Sequence, residues 1–281
     1  MHTGYARAQE QRVAAQIMEV ATVAFSVVQL SPRGSQTVTP TLSITREILR
    51  VYDQRFLEVD RPIRRQLVAS GKGMLGGLLT EAVRQELPES ARLRAFCIEN
   101  ELFDELERLI ADEIAGHREG AVVVGGRIYA VYPYLRGVPR QDADITAEVG
   151  VEHVLTGLAW DKDLLRVRGR AAIARVQARE TLIELILGDG TAEFRVVAEA
   201  TESGFEAFVP LPDPGIWTVQ VSVGALGVTR IAPFGAVRAE SFKAPKPREG
   251  VDLACVEDLV ITRADLPMPA PRSLFSRLLR R

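Results

Sequence analysis

Trp217-Thr218-Val219-Gln220-Val221-Ser222-Val223 carries an apolar side chain at every second position. An extended chain turns successive side chains to opposite faces, so this spacing predicts a strand with one dry face and one wet face. Trp217, in register with three valines, is expected in the core. The same texture continues on both sides. Gly224-Ala225-Leu226-Gly227 separates Val223 from Val228-Thr229-Arg230-Ile231, and Gly188-Asp189-Gly190 separates Thr181–Leu187 from Ala192–Ala200; both interruptions have hairpin-turn chemistry. Leu165-Arg166-Val167-Arg168-Gly169-Arg170-Ala171 alternates apolar and basic residues, again a strand with one solvated face. Strands of this length, broken at short intervals, predict an antiparallel β-sandwich over residues 161–266.

Ahead of this half the period changes. Ile44, Ile48, Leu49, Tyr52, Phe56 and Val59 describe an apolar helical stripe, and Pro62 suits the first turn of a following helix. Leu75, Leu78, Leu79, Ala82 and Val83 form a second stripe that stops near Pro88. Leu93, Phe96, Cys97, Leu102, Leu106, Leu109 and Ile110 form a third, ending at Gly116. Short polar breaks between stripes predict antiparallel neighbours, hence a small helical bundle over residues 41–120. Residues 121–160 then read as a connector. Before the bundle, a helix from about Tyr5 to Val20 and a β-branched stretch, Val23–Leu30, stand without obvious partners. Residues 267–281 form a tail with Pro267, Pro269 and Pro271, ending in Leu274, Phe275 and Leu278 among Arg277, Arg280 and Arg281. Such a segment suits frayed chain or a weak membrane-surface contact.

The 281 residues contain 35 basic and 37 acidic side chains, a formal net charge of -2, so no global field draws the chain to nucleic acid or to an anionic membrane. Cys97 and Cys255 are far apart in sequence and suit free thiols in a reducing compartment. No apolar run approaches the roughly 20 residues that span a bilayer. The expected location is cytoplasmic, with the tail offering peripheral contact at the inner membrane face.

Few residues invite chemistry. Asp142-Ala143-Asp144 and Asp161-Lys162-Asp163 pair carboxylates in the manner that can hold a divalent metal on a diphosphate, but they lie at the helix-to-strand transition and read as solvated turns. Ser70-Gly71-Lys72-Gly73-Met74-Leu75-Gly76-Gly77 has the glycines of a phosphate loop with its lysine misplaced, and reads as an inter-helix turn. His2, His117 and His153 have no ligand partner at helical spacing, and no nucleophile elbow occurs. Accordingly no catalytic residue, cofactor or metal is expected. Among the aromatics, Phe208 falls out of register with Phe205, Ala207 and Val209, which makes it a candidate for an exposed carbohydrate or partner contact, with Trp160 a second.

Several stretches resemble the downstream half of bacterial family 2 glycosyltransferases of the wall-teichoic-acid and capsule type. Val28-Gln29-Leu30-Ser31-Pro32-Arg33-Gly34-Ser35-Gln36-Thr37 resembles the end of their GT-A catalytic domain. Ile44–Val59 resembles the helix that follows, and Ala91–Asn100 with Leu102–Leu106 resembles their last linker helices. Gly126–Tyr134 and Leu165–Ile173 are similar to the entry to their Ig-like region. The resemblance implies an α+β multidomain protein. Residues 1–40 would be the remnant of a GT-A domain, followed by an N-terminal helical linker bundle, a connector and an antiparallel Ig-like β-sandwich. In that family the donor-binding aspartates and the catalytic base lie upstream of the stretches matched here, so no residue of this chain is expected to inherit a catalytic role. The implied function is an accessory region that binds an acceptor polysaccharide or polyol-phosphate polymer, or assembles a homo-oligomer, a trimer by family analogy. The alternative from another class is an independent carbohydrate- or protein-binding Ig-like module with no enzymatic parent.

Overall fold

The computed structural model describes residues 38–117 and 120–264. The opening helix, the β-branched stretch near Phe25, nearly all of the 1–40 remnant and the 267–281 tail lie outside the described residues. The chain divides into two compact units, one containing residues up to Val149 together with Arg175–Gln177, the other containing Gly150–Ala174 and the chain from Ala178 onward.

The first unit is helical, and its helices break where the sequence supplies a cap. The expected stripe from Ile44 to Val59 folds as α1 (Val38–Arg50) and α2 (Gln54–Glu58), because the Asp53 carboxylate accepts from Arg55 N at 2.8 Å and starts a new helix. Helix α3 (Arg61–Leu75) opens with Pro62 in its first turn. It takes in Ser70–Leu75, so the glycine-rich segment expected to be a turn is mostly helix. Its glycine has a packing reason: the buried Tyr52 hydroxyl donates to Leu67 O at 2.9 Å, and a Cβ on Gly71 would stand 2.0 Å from that hydroxyl oxygen. Thr80 caps α4 (Glu81–Gln85), accepting from Val83 N. The third stripe also divides, into α5 (Glu89–Glu99) and α6 (Phe103–Ile114), with Glu101 in the left-handed region (φ 55) at the corner. Ile48, Leu49, Tyr52, Phe56, Val68, Leu75, Leu93, Ile98, Leu106 and Ile110 fill the core between these helices.

The same unit continues through part of what the sequence assigns to a connector. Strands β1 (Ala121–Val124) and β2 (Arg127–Ala130) form a hairpin closed by Gly125 and Gly126, both at positive φ, and a single turn, α7 (Arg140–Ala143), follows. Two arginines, Arg92 buried and Arg175 partly so, knit this unit together. Arg92, 5% exposed, donates to the carbonyls of Leu87, Asp142 and Asp144 and to the Glu148 carboxylate. Arg175 makes a bidentate pair with Glu89, at 2.6 and 3.1 Å. The Glu148 carboxylate also accepts from Glu89 N, placing negative charge at the N-terminus of α5.

The second unit is built of antiparallel strands. One sheet has the order β3 (Val151–Asp161), β4 (Leu164–Ile173), β8 (Gly204–Pro210), β7 (Glu199–Thr201). The other has the order β11 (Val251–Cys255), β12 (Leu259–Arg263), β9 (Gly215–Ala225), β5 (Leu182–Gly188), β6 (Glu193–Val197), with β10 (Val228–Pro233) also paired to β9. The alternating stretch from Trp217 is the centre of β9, and Trp217, Val219, Val221 and Val223 are buried as expected. Ser222 is buried as well, although it lies on the opposite face. Strand β3 begins at Val151, inside the expected connector. The stretch Ala192–Ala200, expected to be one strand, divides between the sheets: β6 pairs β5 and β7 pairs β8. A single alternating run cannot show that the chain crosses from one sheet to the other within it. Between the sheets lie Phe205 of β8 and Phe234, whose ring centroids are 5.7 Å apart. Gly169 of β4 makes room for both, since a Cβ there would meet Phe234 at 2.8 Å and Phe205 at 2.9 Å.

Candidate functional site

The sites that paired carboxylates suggest are already committed. Asp142 is 1% exposed and accepts from Arg84, which also holds Glu99 at 2.6 Å. Burial raises the pKa of its carboxyl, and the Arg84 guanidinium offsets part of that rise. Asp144 accepts from Thr146 N at 2.9 Å and from Arg127 at 2.7 Å; burial works against ionisation there too, but these hydrogen bonds outweigh it and hold the carboxyl below the usual range. Asp142 is therefore a buried ion-pair member rather than a solvated turn residue. A cleft of about 1080 Å³ beside this network is lined by Arg46, Arg92, Arg127, Asp144 and Glu148 among others. Its arginines are all engaged: Arg92 with Glu148, Arg127 with Asp144, Arg46 with Glu86 O. Among the described residues no three His, Cys, Asp or Glu side chains gather where a metal could be held.

The nucleophile candidates are muted by their surroundings. Burial, with a smaller contribution from Glu105, pushes the Cys97 thiol up to about 12, and burial also raises that of Cys255. Burial lowers the pKa of His153, whose ring packs on Phe234 and whose Nδ1 is buried without a hydrogen-bond partner. This is a packed histidine in the second unit.

The two aromatic candidates share a sheet but not a face. Trp160 pairs with Leu165, which pairs with the buried Val209; Phe208 pairs with Arg166, one position along and therefore on the other side. Trp160 donates its indole N–H to Lys246 O at 2.9 Å, and the Arg248 guanidinium lies over its ring, 5.2 Å from the centroid. Arg248 in turn holds Lys162 O and the Asp163 carboxylate, so Trp160 fastens the 246–248 segment to the β3–β4 turn. Phe208 is half-buried on the outer face, as its register predicts.

That outer face has an ordered composition. Arg166, Arg168 and Arg170 occupy alternate positions of β4, and side chains two apart on a strand stand about 7 Å from one another. On one side of this row are Phe208, Glu206 and Gly204 of β8; on the other are Ala159, Gly157 and Val154 of β3. Glu206 accepts from Arg168 at 2.6 Å and lies 3.8 Å from Arg166. Arg170 is exposed, and among the described residues it takes part in no ion pair. Its stem passes over Gly204, where an added Cβ would come within 2.7 Å of Arg170 Cγ. The β3 side is low: Gly157 has open space where a side chain would stand, and the next position on this face is Ala159. Arginine alternation along β4 is visible in the sequence, whereas its alignment with Phe208 and with the small residues of β3 arises only from strand pairing.

Neither a protein-family model nor a curated relative matches this sequence. Solved structures do. The crystal structure of S. aureus TarS 217–571 matches with a TM-score of 0.56 and 11% identity, covering 90% of this chain and 76% of that one. The chain has the fold of TarS 217–571. A longer S. aureus TarS structure matches at 11% identity with a TM-score of 0.45, covering 90% of this chain, which spans about half (48%) of it. The sheet-rich, multidomain architecture is thus shared with TarS at a level of sequence divergence where fold is retained and side chains are not. Among the described residues no helix is long and apolar enough to cross a membrane.

Proposed function

We propose that this chain is an accessory region of a family 2 glycosyltransferase of the wall-teichoic-acid type, with the second unit an Ig-like β-sandwich that holds the acceptor polymer. The observation that carries this reading is the likeness to TarS 217–571 along 90% of the chain. The outer face of the β3–β4–β8–β7 sheet supplies the seat in this reading, with one aromatic ring beside a row of guanidinium groups above a low floor. Phe208 presents a π surface to the C–H face of a ring or polyol, a contact worth about 0.5–1.5 kcal/mol. Donor binding and transfer belong, in this reading, to the parent enzyme. Affinity electrophoresis of the whole chain through gels containing a wall-teichoic-acid preparation tests it. The expected result is retardation, weakened about 2- to 10-fold by Phe208→Ala. Sugar transfer by the purified chain, or migration indifferent to the polymer, would overturn the reading.

A second reading, assembly of a homo-oligomer, draws on the larger sheet. Val197, Glu184, Ser222 and Ile231 form one row across β6, β5, β9 and β10, with Leu182 two residues along the same face. Val197, Ile231 and Leu182 are 61%, 51% and 55% exposed. These exposed aliphatic side chains flank the polar Glu184 and Ser222, and exposed apolar residues gathered on one sheet face are suited to a contact with a second copy. Sedimentation velocity is expected to show an oligomer that Ile231→Glu with Val197→Glu converts to monomer. A wild-type monomer across the accessible concentration range removes this reading and leaves the first untouched.

A further inference from the structure

We propose that His153 is a pH-sensitive latch in the second unit: protonation of its ring releases the 236–239 segment from β3 and bares that edge of the sheet. The inference is independent of acceptor binding. Val151, His153 and Leu155 alternate on the core-facing side of β3, opposite Ile173, Ala171 and Gly169 of β4. The His153 ring packs on Phe234, 5.5 Å between centroids, and its Nδ1 is buried without a hydrogen-bond partner. Neutral imidazole tolerates this place, since Nδ1 can stand there as a bare acceptor. Imidazolium does not, because both ring nitrogens then carry N–H groups and a charge that need partners or water.

The segment beside the ring is fixed at one point and lightly held beyond it. Phe234 donates its N–H to Val219 O and accepts from Leu259 N through its carbonyl. Gly235 follows at φ +124, so close to β12 that an added Cβ would stand 2.6 Å from Leu259 N. From there the chain runs parallel to β3 at Leu155, whose N–H donates to Val237 O and whose carbonyl accepts from Ala239 N. Val237 is 52% exposed, so little buried apolar surface reinforces these bonds. His153 and Val237 line one depression of about 500 Å³, the space through which a charged ring turns toward water. That turn displaces Val237 and breaks the bonds to Leu155, leaving an unpaired N–H and C=O on the sheet edge.

The charges nearby do not hold the ring in either state. Glu152 and Arg170 line the depression, Arg238 belongs to the released segment, Arg230 lies on β10, and Asp258 is bridged to Gly235. Burial lowers the pKa of His153, and none of these groups offsets it. A lowered folded value means that closure is fully favoured above the ordinary histidine value of 6.5 and loses ground as pH falls through it, until the folded value is reached.

Hydrogen exchange read by NMR on the whole chain, between about pH 8 and about pH 5 and corrected for intrinsic rates, tests the latch. The amides of Leu155 and Ala239 report the segment, and that of Val221, central in β9, reports unfolding of the unit. Protection at Leu155 and Ala239 is expected to fall by up to about tenfold per pH unit below about 6.5, with Val221 unchanged. His153→Phe keeps a ring against Phe234 without a titrating group and should abolish the slope. His153→Gln should abolish it too, even where its smaller side chain makes opening easier at every pH. Protection that is independent of pH in the natural chain overturns the inference. So does a slope that survives in the variants, which would assign the titration to another group, or a parallel loss at Val221, which would make the event global unfolding rather than release of one segment.

Discussion

Arg92→Ala is expected to lower the stability of the first unit by about 2–4 kcal/mol, because it takes a 5%-exposed guanidinium away from several acceptors at once. The guanidinium reaches carbonyls of three residues, Leu87, Asp142 and Asp144, and one carboxylate, Glu148. Truncation leaves these acceptors without their donor in a place where water replaces it poorly. The loss reaches beyond one contact because the Asp142–Asp144 carbonyls fasten the end of α7 and the chain beyond it to α5. Arg92→Lys is expected to recover little, since one ammonium cannot span acceptors on several sides. All helices among the described residues belong to the first unit and both tryptophans to the second, so one urea titration separates the effects. The helical circular dichroism band should move to a lower midpoint. A shift worth less than about 1 kcal/mol would show that the network is surface-like in energy despite its burial.

In the second unit the largest effect is expected from Gly204→Ala. Gly204 has φ +143, and a Cβ there would stand 2.1 Å from Gly169 O, a backbone atom of the paired strand. Relief requires β4 and β8 to part where Gly169 faces Phe205. Backbone strain of about 1–3 kcal/mol and overpacking of about 1–3 kcal/mol act together, giving roughly 2–4 kcal/mol after partial relaxation. Tryptophan fluorescence should report the loss. Gly157→Ala is the matched control: it lies on the same face of the same sheet, its new methyl meets nothing within 4 Å, and its effect should stay within about 0.5 kcal/mol. Gly157 has neither the positive φ nor the close contact of Gly204, so equal effects at the two positions would mean that neither feature costs stability at Gly204.

The alternation from Trp217 to Val223 was enough to predict the central strand and its buried face, because period two is a property of the local backbone. The helical stripe from Ile44 to Val59 likewise marks buried residues, though it does not show that Asp53 divides it. Phe208 could be placed on an outer face from its register alone. The candidate site could not be assembled in this way. Phe208 and Arg166 are distant in sequence and become neighbours only through the pairing of β8 with β4; Gly157 joins them through a bulged pairing of β3. The same limit separated Trp160 from Phe208, two exposed-looking aromatics that strand register sends to opposite faces.

Charged residues show the contrast most sharply. Asp142 and Asp144 read as a turn or as half of a metal site, and either reading fits the local sequence. Their partners Arg84 and Arg127 lie elsewhere in the chain, and only packing brings Arg84 against Asp142 in the interior and Arg127 against Asp144 at its edge. Most helices and strands, and the dry side of many of them, were legible because propensity and periodicity act between near neighbours; where elements break or change sheet was not. Which charges pair with one another emerges from packing, because electrostatic partnership follows distance in space and contacts between remote residues set that distance.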